Sequence, residues 1–212
     1  MDTALRVPRV LAGDIEPAVH LLSHYVHDKL SNGGPAFTGS RFESFASARD
    51  PNNLGAEDLL AVAMLGVNVP GAATLRILEN DAADISGLLA AIPTDVDLAD
   101  AGEETIGRDS PAWVLWRLLD GYYNVGDTLT SKLMARKRPR LIPIQDSVVK
   151  AAVDLGHNGD LWSGLRELLT VDGRALETKL RQIRSAAGMD GRYSDLRVFD
   201  IVVWMDNHGH RG

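Results

Sequence analysis

Ser110-Pro111-Ala112-Trp113-Val114-Leu115-Trp116-Arg117-Leu118-Leu119-Asp120-Gly121, then Tyr122-Tyr123-Asn124-Val125-Gly126, then Asp127-Thr128-Leu129-Thr130-Ser131-Lys132-Leu133-Met134-Ala135-Arg136: this stretch decides the reading of the chain. A serine followed by proline is a helix cap with a first-turn proline. Trp113, Trp116 and Leu119 recur at helical spacing, and Gly121 is a natural stop. A second helix is predicted from Asp127 to about Arg136. The five residues between form a tight hairpin in which Gly126 permits close backbone approach or a positive φ. The second helix then turns its free N–H groups outward, which makes an anion site. Prolines at 139 and 143 oppose helix, so that segment is predicted extended. Asp146 stands directly before the next helix.

Working outward, nearly every periodic segment has helical spacing. Asp14 is the expected cap of a helix whose stripe is Val19, Leu22, Val26 and Leu30, with His20, His24 and His27 on the same helix. No carboxylate cluster joins these histidines, so an ordinary helix face is the expectation and no metal is assigned. A loop carrying Phe37, Phe42 and Phe45 follows. Helices are predicted over 56–66, 70–79 and 83–92, an acidic loop over 94–109, and further helices over 146–155, 160–169, 172–187 and 194–206. The β-branched run near the end could make a strand, but Ser194 as a cap and the Leu196, Phe199, Val203 spacing favour helix. No alternating strands joined by hairpin dipeptides are present to build a sheet. The fold class is all-α.

The 212 residues fit a single helical domain able to bury a real core, with segments 1–109, 110–156 and 157–212. With no cysteine, a disulfide scaffold, a thiol nucleophile, a Cys-ligated zinc and an iron–sulfur cluster are excluded. No apolar run is long enough for a membrane span, and Met1-Asp2-Thr3-Ala4 opens neither a signal nor a transit peptide, so a cytoplasmic location and no membrane partner are expected. The formal net charge is −7, but residues 1–126 hold only 8 of the 22 Lys/Arg and 18 of the 29 Asp/Glu. Lys132, Arg136, Lys137, Arg138 and Arg140 lie within nine positions. A short basic stripe on an acidic body suits one phosphate-contacting edge or, equally, a solvated helix face.

On the hairpin and the downstream aspartate, the chain resembles the helix-hairpin-helix DNA glycosylase superfamily. Its hairpin reads roughly Leu-Pro-Gly-Val-Gly, with a Pro-Val-Asp about twenty residues beyond the second glycine. Asn124-Val125-Gly126 takes the hairpin position here and Ile142-Pro143-Ile144-Gln145-Asp146 the downstream one, with Asp146 twenty positions after Gly126. Asn124 replaces the first hairpin glycine, and Tyr122-Tyr123 replaces Leu-Pro. The run from Ser131 to Pro139 also looks like an uncharacterised family of actinobacterial proteins. The resemblance implies two interlocked helical lobes, DNA as partner through contacts that do not read sequence, no cofactor, and excision of a modified or damaged base in DNA repair. It implies Asp146 as the catalytic carboxylate and Asn124, Val125, Gly126, Thr128, Lys132, Arg136, Lys137, Arg138 and Arg140 as backbone contacts. Thr128 stands where some members carry a Schiff-base lysine, so hydrolysis without strand cleavage is expected.

Such an enzyme stabilises positive charge on a sugar with a carboxylate and accepts an extruded base in an aromatic pocket. Trp113, Trp116, Tyr122 and Tyr123 are the candidate walls, with Trp162 and Trp204 further away, and each is equally a candidate for the core. Asp146 by position alone is a helix cap, and capping and catalysis are compatible. Two other readings stand beside the enzyme. One is a non-catalytic helix-hairpin-helix module that holds a nucleic-acid backbone. The other is a helical scaffold whose acidic half meets a basic protein.

Overall fold

The computed structural model describes residues 5–46, 50–156 and 160–208, and it is helical throughout, with no β-strand among the described residues. The chain divides into two compact units. Met1–Phe37 and Pro143–Gly212 form one, and the continuous stretch Thr38–Ile142 forms the other. The first unit opens with α1 (Arg9–Ala12) and α2 (Glu16–His27). The second contains α3 (Ala56–Ala63), α4 (Gly71–Leu75), α5 (Ala82–Ala91), α6 (Glu103–Ile106), α7 (Pro111–Asp120) and α8 (Asp127–Lys137). The chain returns to the first unit as α9 (Ser147–Ala152), α10 (Leu161–Ala186) and α11 (Asp195–His208). Among the described residues no helix is long and apolar enough to cross a membrane.

In the first unit α11 is the centre, packed by α2, α9 and α10. Its run Val198, Phe199, Ile201, Val202, Val203 is buried on all sides, which is why β-branched residues end in a helix: burial all round removes the need for a polar face. Half-exposed Trp204 closes an aromatic group in which Tyr25 and Phe37 stack 5.4 Å apart. In the second unit α7 packs on α5 and α8, and α3 packs on α8. Trp113 and Trp116 lie 5.8 Å apart in that core.

Several boundaries differ from the sequence reading. Ile15, not Asp14, occupies the cap of α2, and the helix ends at His27 because Asp28 turns extended. After α4 the chain widens into a π-helical turn, Arg76–Asn80, and does not continue as α-helix. The acidic stretch 94–109 holds a 3-10 turn, Leu98–Asp100, as well as α6. The two predicted helices after Asp160 are the halves of α10. Val171 is extended between them, and Asp172, Gly173 and Arg174 are left-handed in succession, with φ of 49°, 64° and 63°. Left-handed backbone costs about 1–2 kcal/mol per residue with a side chain, so tertiary packing holds this bend against local preference.

Candidate nucleic-acid interface and catalytic carboxylate

The hairpin forms where the sequence placed it. Ser110 Oγ accepts the Trp113 N–H at 3.3 Å and starts α7. The chain leaves α7 through Gly121, whose N–H donates to the Arg117 carbonyl, and Val125 N–H closes the turn on the Tyr122 carbonyl at 3.0 Å. The left-handed residue is Asn124, at φ 56°, and not Gly126, which is extended. Asparagine tolerates that region better than most residues, so the loss of a glycine at 124 is absorbed without changing the turn. A Cβ added at Gly126 would meet no atom within 4 Å, so internal packing does not require glycine there. Asp127 bends its carboxylate back onto the Thr128 N–H at 2.7 Å, placing a negative charge at the amino end of α8. Asp120 lies close enough for that charge, added to burial, to raise its pKa above the ordinary carboxylate value.

Tyr122 is buried and donates from its hydroxyl to Asp81 Oδ2 at 2.7 Å. Arg76 Nε donates to the same oxygen at 2.7 Å, and its guanidinium lies 5.0 Å from the centre of the Tyr122 ring. The π-helical turn sets Arg76 and Asp81 five residues apart at its two ends, so this widened turn is what pins the hairpin. The hydrogen bonds from Arg76 and Tyr122 hold the Asp81 carboxyl below the ordinary range, while burial and Asp81 push the Tyr122 phenol far up. Tyr123, next in sequence, is 77% exposed.

The basic stripe is not a surface edge. Residues Leu129 to Lys137 of α8 are all buried, the cations included. The Arg136 and Lys137 side chains are 2% and 1% exposed, and both meet Asp58, which is wholly buried on α3, at 3.1 and 2.5 Å. Arg136 also donates to the carbonyls of Phe42 and Phe45, and Lys137 to that of Asp50. Arg138 donates to the carbonyls of Pro51, Leu89, Ile92 and Lys137 and to Asn52 Oδ1. Its burial pushes the guanidinium pKa down. Lys132 is buried too, with Nζ on the Leu65 carbonyl at 3.0 Å. Arg140 remains at the surface, paired with Asp97 at 2.7 Å. The expectation that these residues face a phosphate is therefore corrected for Lys132, Arg136, Lys137 and Arg138. Their donors are directed inward, because loop carbonyls and one carboxylate need them and a buried cation without partners would be prohibitive.

The proposed pocket walls need a similar correction. Trp113, Trp116 and Tyr122 are core, with Arg108 stacked 4.2 Å from Trp113, and Trp162 is fully buried in the other unit. Tyr123 faces solvent. Asp146 belongs to the first unit, four residues after the chain leaves the second, and Gly126 to the second. The carboxylate is half-buried and caps α9, accepting the Val148 N–H at 3.0 Å. Among the described residues of the first unit, clefts open of about 630 Å³ beside Arg9, Asp14 and Asp206 and about 280 Å³ beside Leu168, Asp172 and Lys179. Asp146 lines neither. Sequence reasoning missed Asp58, whose cationic partners lie 78 and more positions away, and the Arg76–Asp81–Tyr122 group, for which no local signal exists.

A family described as one of unknown function, DUF6308, matches residues 18–207, most of the chain. The chain belongs to DUF6308. No curated protein and no solved structure matches it. In this DUF6308 member the likeness to helix-hairpin-helix glycosylases thus remains with the motif residues quoted above.

Proposed function

We propose that the chain is a helix-hairpin-helix glycosidase acting on nucleic acid, with Asp146 as its catalytic carboxylate. One observation carries the reading. The middle of the chain is one unit, its two ends together are the other, and the hairpin closes the first part while Asp146 caps the first helix of the return. A helical chain divided in this way supports the two-lobe reading that the resemblance implies. In the reaction the bond between the sugar anomeric carbon and the base nitrogen breaks, and the nitrogen leaves with a proton. A water oxygen bonds to the carbon. Asp146 stabilises the positive sugar and orients that water. Thr128 at the lysine position leaves no amine for a Schiff base, so strand cleavage is absent. Arg136, Lys137 and Arg138, being internal, do not hold the strand.

Asparagine caps helices as well as aspartate does. Asp146→Asn therefore removes charge while keeping the cap, and Asp146→Ala removes both. Base release from a panel of damaged DNAs falls at least about 100-fold in Asp146→Asn, the scale for losing one charge-stabilising group. Its melting temperature stays near wild type. Absence of release by wild type on the whole panel, or equal release by Asp146→Asn, rejects the catalytic assignment.

A second reading rests on the buried cations. With Lys132, Arg136, Lys137 and Arg138 internal, the surface is more acidic than the net charge of −7 suggests, which favours a helical scaffold for a basic partner. Failure to bind DNA or RNA at low salt, together with binding of an oligo-arginine peptide, selects it.

A further inference from the structure

Tyr123 is a large aromatic side chain that the fold holds still and leaves uncovered. Buried residues anchor the turn around it: Tyr122, just before, is tied to Asp81, and Val125, two positions on, is buried. The turn is closed by the Tyr122 N–H on the Leu119 carbonyl at 3.1 Å and by the Val125 N–H on the Tyr122 carbonyl. The backbone of Tyr123 is thereby fixed, yet 77% of the residue is exposed, the most of any large hydrophobic residue described. Among the described residues it has no hydrogen bond, ion pair or ring contact.

The charges around it narrow what it meets. Asp120 and Asp127 bracket the hairpin, and the Asp127 carboxylate already occupies the Thr128 amide in the first turn of α8. A phosphate seated on the hairpin would face both carboxylates. The face of a nucleobase carries no charge, and stacking on tyrosine is nearly independent of base identity. Arg76, half exposed and paired with Asp81, lies over the ring of Tyr122, the residue before Tyr123.

We infer that the hairpin is a stacking platform on which Tyr123 takes the face of an unpaired nucleobase, so that the nucleic acid bound is single-stranded or locally opened. The inference rests on the nucleic-acid reading given above and sharpens it to a substrate class. In an intact duplex both faces of each internal base are already stacked, so Tyr123 gains nothing there.

The test uses the full chain and fluorescein-labelled DNA of about 16 nucleotides, single-stranded and as a duplex, followed by anisotropy across a salt series. Tyr123→Ala weakens single-strand binding about tenfold, Tyr123→Phe stays within about twofold, and wild type prefers the single strand to the duplex. Because the side chain lies mostly in water, Tyr123→Ala melts close to wild type, which separates binding from folding. The salt slope is shallow, since few phosphates are neutralised. Equal binding by Tyr123→Ala and wild type, a fall in Tyr123→Phe as large as in Tyr123→Ala, or a duplex bound as well as the single strand overturns the platform. So does binding of an oligo-arginine peptide through Tyr123 with no DNA bound in either form. Base release measured on the same samples keeps the two ideas apart. Tyr123-dependent binding without any release rejects the glycosidase and leaves the platform, and release unaffected by Tyr123→Ala does the reverse.

Discussion

Each unit contains a cluster of three cations, and the two clusters are built on opposite terms. In the continuous unit Arg136, Lys137 and Arg138 are buried against a single carboxylate, Asp58, with backbone carbonyls and Asn52 taking the remaining donors. In the discontinuous unit Arg174, Arg181 and Arg184 meet three carboxylates, Glu177, Asp190 and Asp195, and Arg174 and Arg181 are about half in water. The first cluster carries excess positive charge in the interior; the second is balanced and reaches water through Arg174 and Arg181, although Glu177 is buried. Equal counts of basic residues thus have unequal consequences. Inside, a cation is structural cement whose removal strands its partners. Outside, water replaces what is lost.

The sharpest way to break this contrast is Asp58→Asn. It leaves two buried cations without their counter-charge and should cost about 3–5 kcal/mol, read as a fall in the urea midpoint. A loss below about 1 kcal/mol would mean that the carbonyls alone suffice. Next is Arg138→Met, which keeps the apolar stem but frees the carbonyls of Pro51, Leu89 and Ile92. Leaving such acceptors unpaired should cost about 2–3 kcal/mol in the same assay. In the other unit Arg181→Ala removes a half-exposed partner from Glu177 and Asp195 and should cost about 1 kcal/mol or less, shrinking further in high salt. An effect as large as that of Arg138→Met would erase the distinction between the clusters.

The smallest effects are pH-dependent and have opposite signs around the hairpin. The Asp81 carboxyl is held down by Arg76 and Tyr122, so its stabilising contribution is present above the unfolded carboxylate value and is lost as pH falls through the folded one. Asp81→Asn is therefore less stable than wild type at pH 7, and thermal melts show the gap closing in acid. The Asp120 carboxyl is raised by burial and by Asp127, so its contribution is present in acid and lost as pH rises through the folded value. Asp120→Asn should melt slightly above wild type at pH 7 and level with it in acid.

What the sequence made legible was local. Ser110, Asp146 and Asp160 all cap the helices that their positions announced, and Gly121 ends α7, because a cap is decided by three or four neighbouring residues. The break in α10 was marked by the gap between the predicted helices 160–169 and 172–187, though not that Asp172, Gly173 and Arg174 would be left-handed in succession. Helix α8 was misjudged in its environment and not in its extent. Charge spacing places such a stripe in water, and only distant partners such as Asp58 and the carbonyls of Leu89 and Ile92 reverse that. Tyr123 escaped for the complementary reason: aromatic residues are read as core, and exposure at a hairpin tip is decided by what fails to cover it. The role of Asp146 as a cap was readable from one residue and its helix, whereas a catalytic role depends on surroundings that no spacing specifies.

The division of the chain also orders its birth. Every contact within Thr38–Ile142 is available once that stretch has left the ribosome, so this unit can condense while synthesis continues. The other unit must hold α1 and α2 in waiting until α10 and α11, on which α2 packs, are made. Its closure joins segments more than a hundred residues apart, the kind of long-range step that sets the pace of folding. During that interval the apolar face of α2 has no cover, and there a nascent chain of this protein would be most exposed to chaperones.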